Sequence, residues 1–444
     1  MNASWTKYLP KALRERIEGQ QQLKKIIGTS GWLFSEKIIR ILFGFTVGAW
    51  TARYLGPDRI GQLSYAASFV GLFAIISQLG LDSIVIRNIV HDPSDSNKTL
   101  GSTFILKLIG SVVVFGLIMI TIYLLRPDDK ATHLIVAITA IGTLFHAFST
   151  IDLWFQSQVL ARYAAWGRIS AFLAITVVKV CLILLKAPVT AFAWAGVADV
   201  ALGSIGLIIA YRAYGFKISS WSISWAMSVN LLRNSWPLLF SDLLIFIYMR
   251  IDKIMIGDMA GNTELGIYSI AAYITEILYF IPTIIAATLF PSIIEAKNQN
   301  EELFYSRLQR FYNLMAFAGY CIAVPVTVLA GWLIPFFFGA SYSRAVPMLI
   351  GLVWVSTFIH FMIARSYFLT AMNWTRLHLI IDVIGCLLSV TLYYLLIPRY
   401  GGMGAVIASC IAYWFVTHGI CFLYRPLFRT GVMMTKALLY PKFW

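Results

Sequence analysis

From Phe311 to Ser343 the chain carries no charged residue. An α-helix rises 1.5 Å per residue, so about 20 residues cross the ~30 Å hydrocarbon layer of a bilayer. This run is longer than that and shows no apolar–polar alternation, which argues against the short alternating strands of a membrane barrel. It is one of many. Candidate spans in the first half are Thr29–Ala52, Ile60–Leu81, Thr99–Leu125, Ala131–Phe155, Tyr163–Leu185 and Thr190–Tyr211. The second half gives Asn234–Ile256, Leu265–Ile294, Phe311–Phe338, Ala345–Thr370, Leu377–Ile397 and Gly402–Tyr424. Turn signals punctuate them: Gly56-Pro57-Asp58, Asp92-Pro93-Ser94-Asp95, Arg126-Pro127-Asp128-Asp129 and Pro398-Arg399-Tyr400-Gly401-Gly402. Pro282, Pro291, Pro325 and Pro335 fall inside candidate spans, where each removes a backbone donor and can kink its helix. The expected fold is all-α: a polytopic membrane protein with twelve transmembrane helices.

Composition agrees. Only 12% of residues are charged and 59% are hydrophobic, against about a quarter charged in soluble domains. The net charge of +15 is spread between apolar runs, not gathered in a patch, so it argues for membrane topology over nucleic acid binding. With the N-terminus inside, the inner segments hold 21 Lys and Arg and the outer loops hold 7, so both termini are expected in the cytoplasm. Residues 1–28 are polar and basic with no apolar core, so the first apolar run reads as a span and not as a cleaved signal. The five cysteines lie in or beside apolar stretches and read as packing residues. The chain shows no Gly-rich nucleotide loop, no zinc-type Cys or His spacing and no loop long enough for a soluble catalytic domain. A transporter is expected, not an enzyme, with no bound cofactor.

The two halves echo each other. Gly61-Gln62-Leu63-Ser64-Tyr65-Ala66-Ala67 resembles Gly266-Ile267-Tyr268-Ser269-Ile270-Ala271-Ala272, at an offset of 205 residues. Each block begins the second span of its half. Six spans per half keep both halves in the same orientation, so the expected lobes are related by a pseudo-two-fold axis along the membrane normal, with a cleft between them. The expected divisions are a basic cytoplasmic segment 1–28, a six-helix lobe 29–211, a cytoplasmic linker 212–233, a second six-helix lobe 234–424 and a basic cytoplasmic tail 425–444.

Charges placed in hydrocarbon are costly and usually face a bundle interior or a wet cavity. Lys37 and Arg40 lie a third to a half of the way through the first span and share a helix face, with Glu36 able to pair with Arg40. Lys107 lies about two turns into the third span, and Arg250 lies past the middle of the seventh, followed by Lys253, which the adjacent Asp252 can offset. These make Lys37, Arg40, Arg250 and Lys107 the candidate substrate-binding residues, suited to an anion; Arg in particular fits phosphate in a bidentate fork. Lys253, Lys179 and Arg365 read as structural pairs or snorkelling side chains. Asp199, Asp242, Glu276 and Asp382 are the acids inside spans. Glu276 and Asp199 are the candidate ion-coupling residues, and Glu276 serves equally as a counterion for Arg250. His146, His360 and His418 form no metal spacing and read as helix contacts.

Three segments resemble one family. Ala52 through Ala66, Arg250 through Gly257 with Glu264 through Tyr268, and Phe338 through Pro347 resemble the first outer turn, the matching second-half segment and the turn between the ninth and tenth helices of bacterial O-antigen type polysaccharide flippases. Those belong to the multidrug and oligosaccharidyl-lipid exporter superfamily. The resemblance covers nearly the whole chain. It implies translocation of an undecaprenyl-pyrophosphate-linked oligosaccharide from the inner to the outer leaflet of the cytoplasmic membrane, by alternating access, for assembly of O-antigen, capsule or exopolysaccharide. It also implies a proton or sodium gradient as driving force, and a polysaccharide polymerase and chain-length regulator as partners beside the lipid-linked oligosaccharide and membrane lipids. The competing readings are an ion-coupled drug or metabolite exporter of the same superfamily, a peptidoglycan-precursor flippase, and a membrane-embedded glycosyltransferase or polymerase.

Overall fold

The computed structural model describes residues 21–440. All of the regular secondary structure among them is helical. The helices are α1 (Gln21–Gln78), α2 (Asp82–His91), α3 (Ser96–Leu125), α4 (Lys130–Leu144), α5 (Ser149–Ser157), α6 (Ala161–Leu184) and α7 (Val189–Ala213). They are followed by α8 (Trp225–Met259), α9 (Asn262–Leu278), α10 (Phe280–Gln299), α11 (Glu301–Phe338), α12 (Ala345–Ala371), α13 (Thr375–Trp414), α14 (Ile420–Leu423) and α15 (Phe428–Leu439). Among the described residues, nine helical stretches are long and apolar enough to cross a bilayer, so this is a multi-pass membrane protein. Its outward surface is apolar: Leu124, Leu185 and Val328 are each more than three-quarters exposed, while Lys107 and Arg365 are wholly buried. That inversion is what a lipid solvent demands, since only the interior can satisfy a charge.

The expected turns are present as sharp bends and caps. α1 bends at Gly56, whose φ of 76° lies in the left-handed region that glycine adopts without strain. Pro57 follows and supplies no amide donor to carry the helix on. α13 bends in the same way at Gly401, with φ 58°. Asp129 caps α4, accepting from the Thr132 amide at 3.0 Å. Pro291 lies inside α10 and Pro325 and Pro335 inside α11, as the sequence indicates. Pro282 instead sits in the first turn of α10, just past the break that separates it from α9. A proline is well tolerated there, because first-turn amides have no helical partner.

The chain divides into two compact units. Among the described residues, the first contains those up to Thr51 and residues 73–242, and the second residues 52–72 and those from Leu243 onward. The division therefore does not follow the 212–233 linker: the segment after Thr51 packs with the second half of the chain, and the start of α8 packs with the first.

In the first unit, α6 and α7 meet at Gly167 and Gly206, where an added Cβ on either would lie 2.9 Å from the other's backbone. Small residues let membrane helices approach this closely. The linker lies on α3, with the Ser224 amide donating to Ser102 Oγ at 3.1 Å. Trp221 Nε1 donates to the Tyr211 hydroxyl at 3.1 Å, tying the linker to α7.

In the second unit the three family-like segments come together. Tyr342 donates its buried hydroxyl to the Ala52 carbonyl at 3.0 Å. Arg344 pairs with Glu264 at 2.9 Å, and Glu264 also accepts the Gly402 amide at 3.0 Å, which satisfies a donor freed by the Gly401 bend. Segments hundreds of residues apart in sequence thus form one packed corner. The end of the chain is built in too: α15 lies along α11, with Gln309 donating to the Met433 carbonyl and Tyr320 to the Leu438 carbonyl, each at 3.0 Å.

Candidate functional site

The intramembrane charges gather into two groups, one in each unit, with Lys107 apart from both. In the first unit, Glu36 is the hub. Arg168 on α6 grips it with a fork, Nε to Oε1 at 3.0 Å and Nη2 to Oε2 at 2.9 Å. Arg40, one turn along α1 from Glu36, reaches Glu36 Oε1 at 3.3 Å, so the pairing read from the i,i+4 spacing is present. Arg40 also donates to the Arg168 carbonyl at 3.2 Å and lies 4.9 Å from the Phe172 ring centre. Arg168 extends its third nitrogen to Asp152 at 2.9 Å. Lys37 is exposed and has no ion-pair partner among the described residues. Two carboxylates, Glu36 and Asp152, therefore face two cations, Arg40 and Arg168, and the exposed Lys37 next in sequence to Glu36 adds a positive charge outside those pairs.

In the second unit, Glu276 on α9 holds two cations of α8. Arg250 Nη1 and Lys253 Nζ each lie 2.9 Å from its carboxylate. The spacing of α8 puts both cations on one face, three residues apart. Asp252 does not hold the Lys253 ammonium, as its position beside it had suggested. It is buried and accepts instead from the Lys253 amide at 2.8 Å and from the Tyr268 hydroxyl. Here two cations meet two carboxylates and the charges balance. Arg250 remains about a third exposed, so its guanidinium can still meet an anion.

Lys107 is buried, and its ammonium is engaged: 2.7 Å from Asp82 and 3.1 Å from Ser149 Oγ. Asp199, half-buried on α7, lies within the electrostatic reach of Lys179 on α6. Arg365 is not a snorkelling residue; its side chain is fully withdrawn from solvent on α12. Two of the histidines bond to neighbouring groups: His360 Nδ1 to the Ser356 carbonyl at 2.6 Å, and His418 Nε2 to Thr435 Oγ1 at 2.9 Å. Among the described residues no cluster of His, Cys, Asp or Glu could hold a metal ion.

Arg168 and Asp152 are functional candidates that the sequence did not single out. The available signal was weak: Arg168 is a lone cation in an apolar run, and its partner Glu36 lies 132 residues away. Chemically, both groups offer guanidinium and ammonium donors inside an apolar shell. That suits an anionic headgroup and contains no activated nucleophile.

Relatives share this architecture. The chain is 21% identical over 408 residues to a probable flippase, AglR, of Haloferax volcanii, covering 88% of this chain and 81% of that one. It is 22% identical over 404 residues to a putative O-antigen transporter of Shigella flexneri, covering 87% and 94%. Its fold matches the inward-facing structure of a multidrug resistance MATE family transporter of the MOP superfamily, with a TM-score of 0.73 at 17% identity over 89% of this chain and 96% of that one. Residues 28–297 match the family described as polysaccharide biosynthesis protein. That match covers more than half of the sequence, in agreement with the resemblance carried by its three segments, and the chain belongs to the polysaccharide biosynthesis protein family.

Proposed function

We propose that this protein is a flippase that moves lipid-linked oligosaccharides from the inner to the outer leaflet of the bacterial cytoplasmic membrane. Its cargo is an undecaprenyl-pyrophosphate-linked repeat unit for surface polysaccharide. The observation that carries this reading is Lys37, exposed and outside any ion pair among the described residues, beside the partly exposed Arg40 on the same membrane-spanning helix. A pyrophosphate cannot enter hydrocarbon bare, because the loss of its water is prohibitive. In the first unit, Lys37 and Arg40 replace that water with fixed donors; Arg250 of the second unit offers, by itself, a donor of the same kind. A few spaced cations hold the headgroup without trapping it, while the lipid tail stays in the bilayer. Lys107 is already bound to Asp82 and contributes only through that pair.

Twelve spans account for the topology. The bent helices α1 and α13 each supply two, and α8 supplies one more beside the remaining apolar helices. Both termini then lie in the cytoplasm, where the basic segments concentrate. The protein works by alternating access and hands its cargo to a polymerase and chain-length regulator outside. Glu276 acts chiefly as counterion to Arg250 and Lys253, and Asp199 as counterion to Lys179.

A drug exporter of the same fold is the second reading. Interior cations disfavour the cationic drugs such proteins commonly carry. The deciding experiment is deletion of the protein, followed by chemical identification of the lipid-linked sugar retained in the inner leaflet. Accumulation of one undecaprenyl-linked oligosaccharide is the expected result; an unchanged lipid-linked pool with altered drug tolerance would replace the flippase reading with the exporter.

A further inference from the structure

Of all fully buried side chains in the described protein, Arg365 is the largest. Its Nη1 donates to the Val416 carbonyl and, at 3.4 Å, to the Thr417 carbonyl, while Nε and Nη2 have no partner. A buried guanidinium with two idle nitrogens is costly unless a carboxylate or another acceptor can reach it. Asp382 is the acid whose field it shares. α12 and α13 form a tight hairpin through Met372–Trp374, and Arg365 and Asp382 stand about two turns from that hairpin on either side. Asp382 is instead turned to His378, one helical turn before it, at 3.6 Å. Both of these side chains are less than a third exposed, so protons can reach them.

We propose that His378, Asp382 and Arg365 form a proton-binding site that couples a proton gradient to movement of the cargo; the coupling, though not the binding, rests on the transport reading above. An imidazole is the one side chain whose ordinary titration falls between pH 5 and 8. With His378 protonated, Asp382 is held by the imidazolium and the three groups carry one net positive charge. When the proton leaves, His378 releases Asp382, which swings to the idle Nε and Nη2 of Arg365, and the three groups become neutral. In a low-dielectric interior a change of one full charge is a large driving force.

The exchange has a path to the rest of the unit. Arg365 holds the carbonyls of Val416 and Thr417, which lie in a π-helical turn, Phe415–Gly419. Such turns widen a helix locally and recur at functional sites. Gly385, three residues beyond Asp382, has no room for a side chain: a Cβ there would lie 3.0 Å from the Val416 side chain and 3.3 Å from the Tyr248 ring. A shift of α13 therefore displaces both the π turn and α8, where Tyr248 precedes Arg250 by two residues. The other titratable groups that face the cluster are Tyr248 on α8, Tyr312 on α11 and Cys421 on α14; Tyr393 further along α13 and Tyr279 at the end of α9 interact with Tyr248 in turn. Phenols and thiols ordinarily keep their protons at neutral pH. His418, in the same π turn, is directed to Thr435 on α15.

The test is proton release from the purified full-length protein in nanodiscs without cargo, followed with an indicator dye as pH is raised from 5 to 8. Wild type is expected to release about one proton more than H378Q, and D382N to shift the midpoint of that release. In cells, H378Q and D382N are expected to lower surface polysaccharide to the level of wild type treated with a protonophore. His378 and Asp382 are partly exposed, so these variants fold, whereas truncation of the fully buried Arg365 empties part of the packed interior. Equal proton release by wild type and H378Q would overturn the site. Wild-type export by H378Q that still collapses with protonophore would overturn its coupling role. Release as expected, in a protein whose deletion leaves surface polysaccharide untouched, would uphold the site and overturn the transport reading instead.

Discussion

Gly61 and Gly266 press their bare α-carbons against each other's turns in a reciprocal contact: a Cβ on Gly61 would lie 1.8 Å from the Asn262 carbonyl oxygen, and one on Gly266 would lie 1.8 Å from that of Pro57. Both pairs are related by the same offset of 205 residues, which also separates Asp58 from its hydrogen-bond partner Thr263. A contact in which each residue meets the counterpart of its own neighbour is the signature of a two-fold relation. The sequence echo between the blocks headed by Gly61 and Gly266 thus has a physical counterpart.

G61A and G266A should each destabilise the protein by about 1–3 kcal/mol through overpacking. The double variant should lose less than the sum, since one backbone shift relieves both clashes. G142A, where nothing lies within 4 Å of the added Cβ, should unfold at the wild-type temperature. Thermal unfolding in detergent checks all four proteins.

Glu264 and Arg344 should behave unequally although they pair. E264A leaves the Gly402 amide at the Gly401 bend unsatisfied and should cost about 1–3 kcal/mol. R344A removes a partner whose side chain is mostly exposed and should cost less than about 1 kcal/mol. Denaturation of the two variants side by side distinguishes a cap on the bend from a surface ion pair.

R168A removes the fork from Glu36, which Arg40 still reaches, and leaves Asp152 without its partner, so it should cost about 1–3 kcal/mol. R168K keeps the charge but not the two parallel bonds, so it should restore only part of the loss. E36Q combined with R168A should be less stable than R168A alone, because Arg40 then loses its carboxylate as well. Unfolding of these variants in one detergent orders them.

Much of this was legible in the chain. Apolar length gave the helices, and Gly56-Pro57 and Gly401-Gly402 marked the bends because glycine alone takes a positive φ freely. The Glu36–Arg40 pair followed from helix geometry, which fixes neighbours four residues apart. Helix geometry is silent about partners on other helices. Hence Arg168 was missed, and Lys253 was matched with adjacent Asp252 when its ammonium reaches Glu276 across α8 and α9. The grouping of residues 52–72 with the second half was hidden for the same reason: it depends on close backbone packing at glycines, and hydropathy carries no trace of that.

Arg250 and Lys253 share Glu276, so R250A leaves the carboxylate still paired. Protein abundance in the membrane should hold while surface polysaccharide falls. E276Q should act oppositely on abundance, since two cations then lose their counterion. Immunoblots of membranes beside quantified polysaccharide separate the two effects.

Loss of Lys37 and Arg40 together tests the central claim most directly. In cells expressing K37Q/R40Q at wild-type membrane abundance, surface polysaccharide should drop about tenfold or more, the equivalent of one lost charged contact of ~1.4 kcal/mol, and the lipid-linked oligosaccharide should accumulate on the inner leaflet. Wild-type polysaccharide with no accumulation in that variant would contradict the account, because the pyrophosphate would then be crossing without the charges assigned to it.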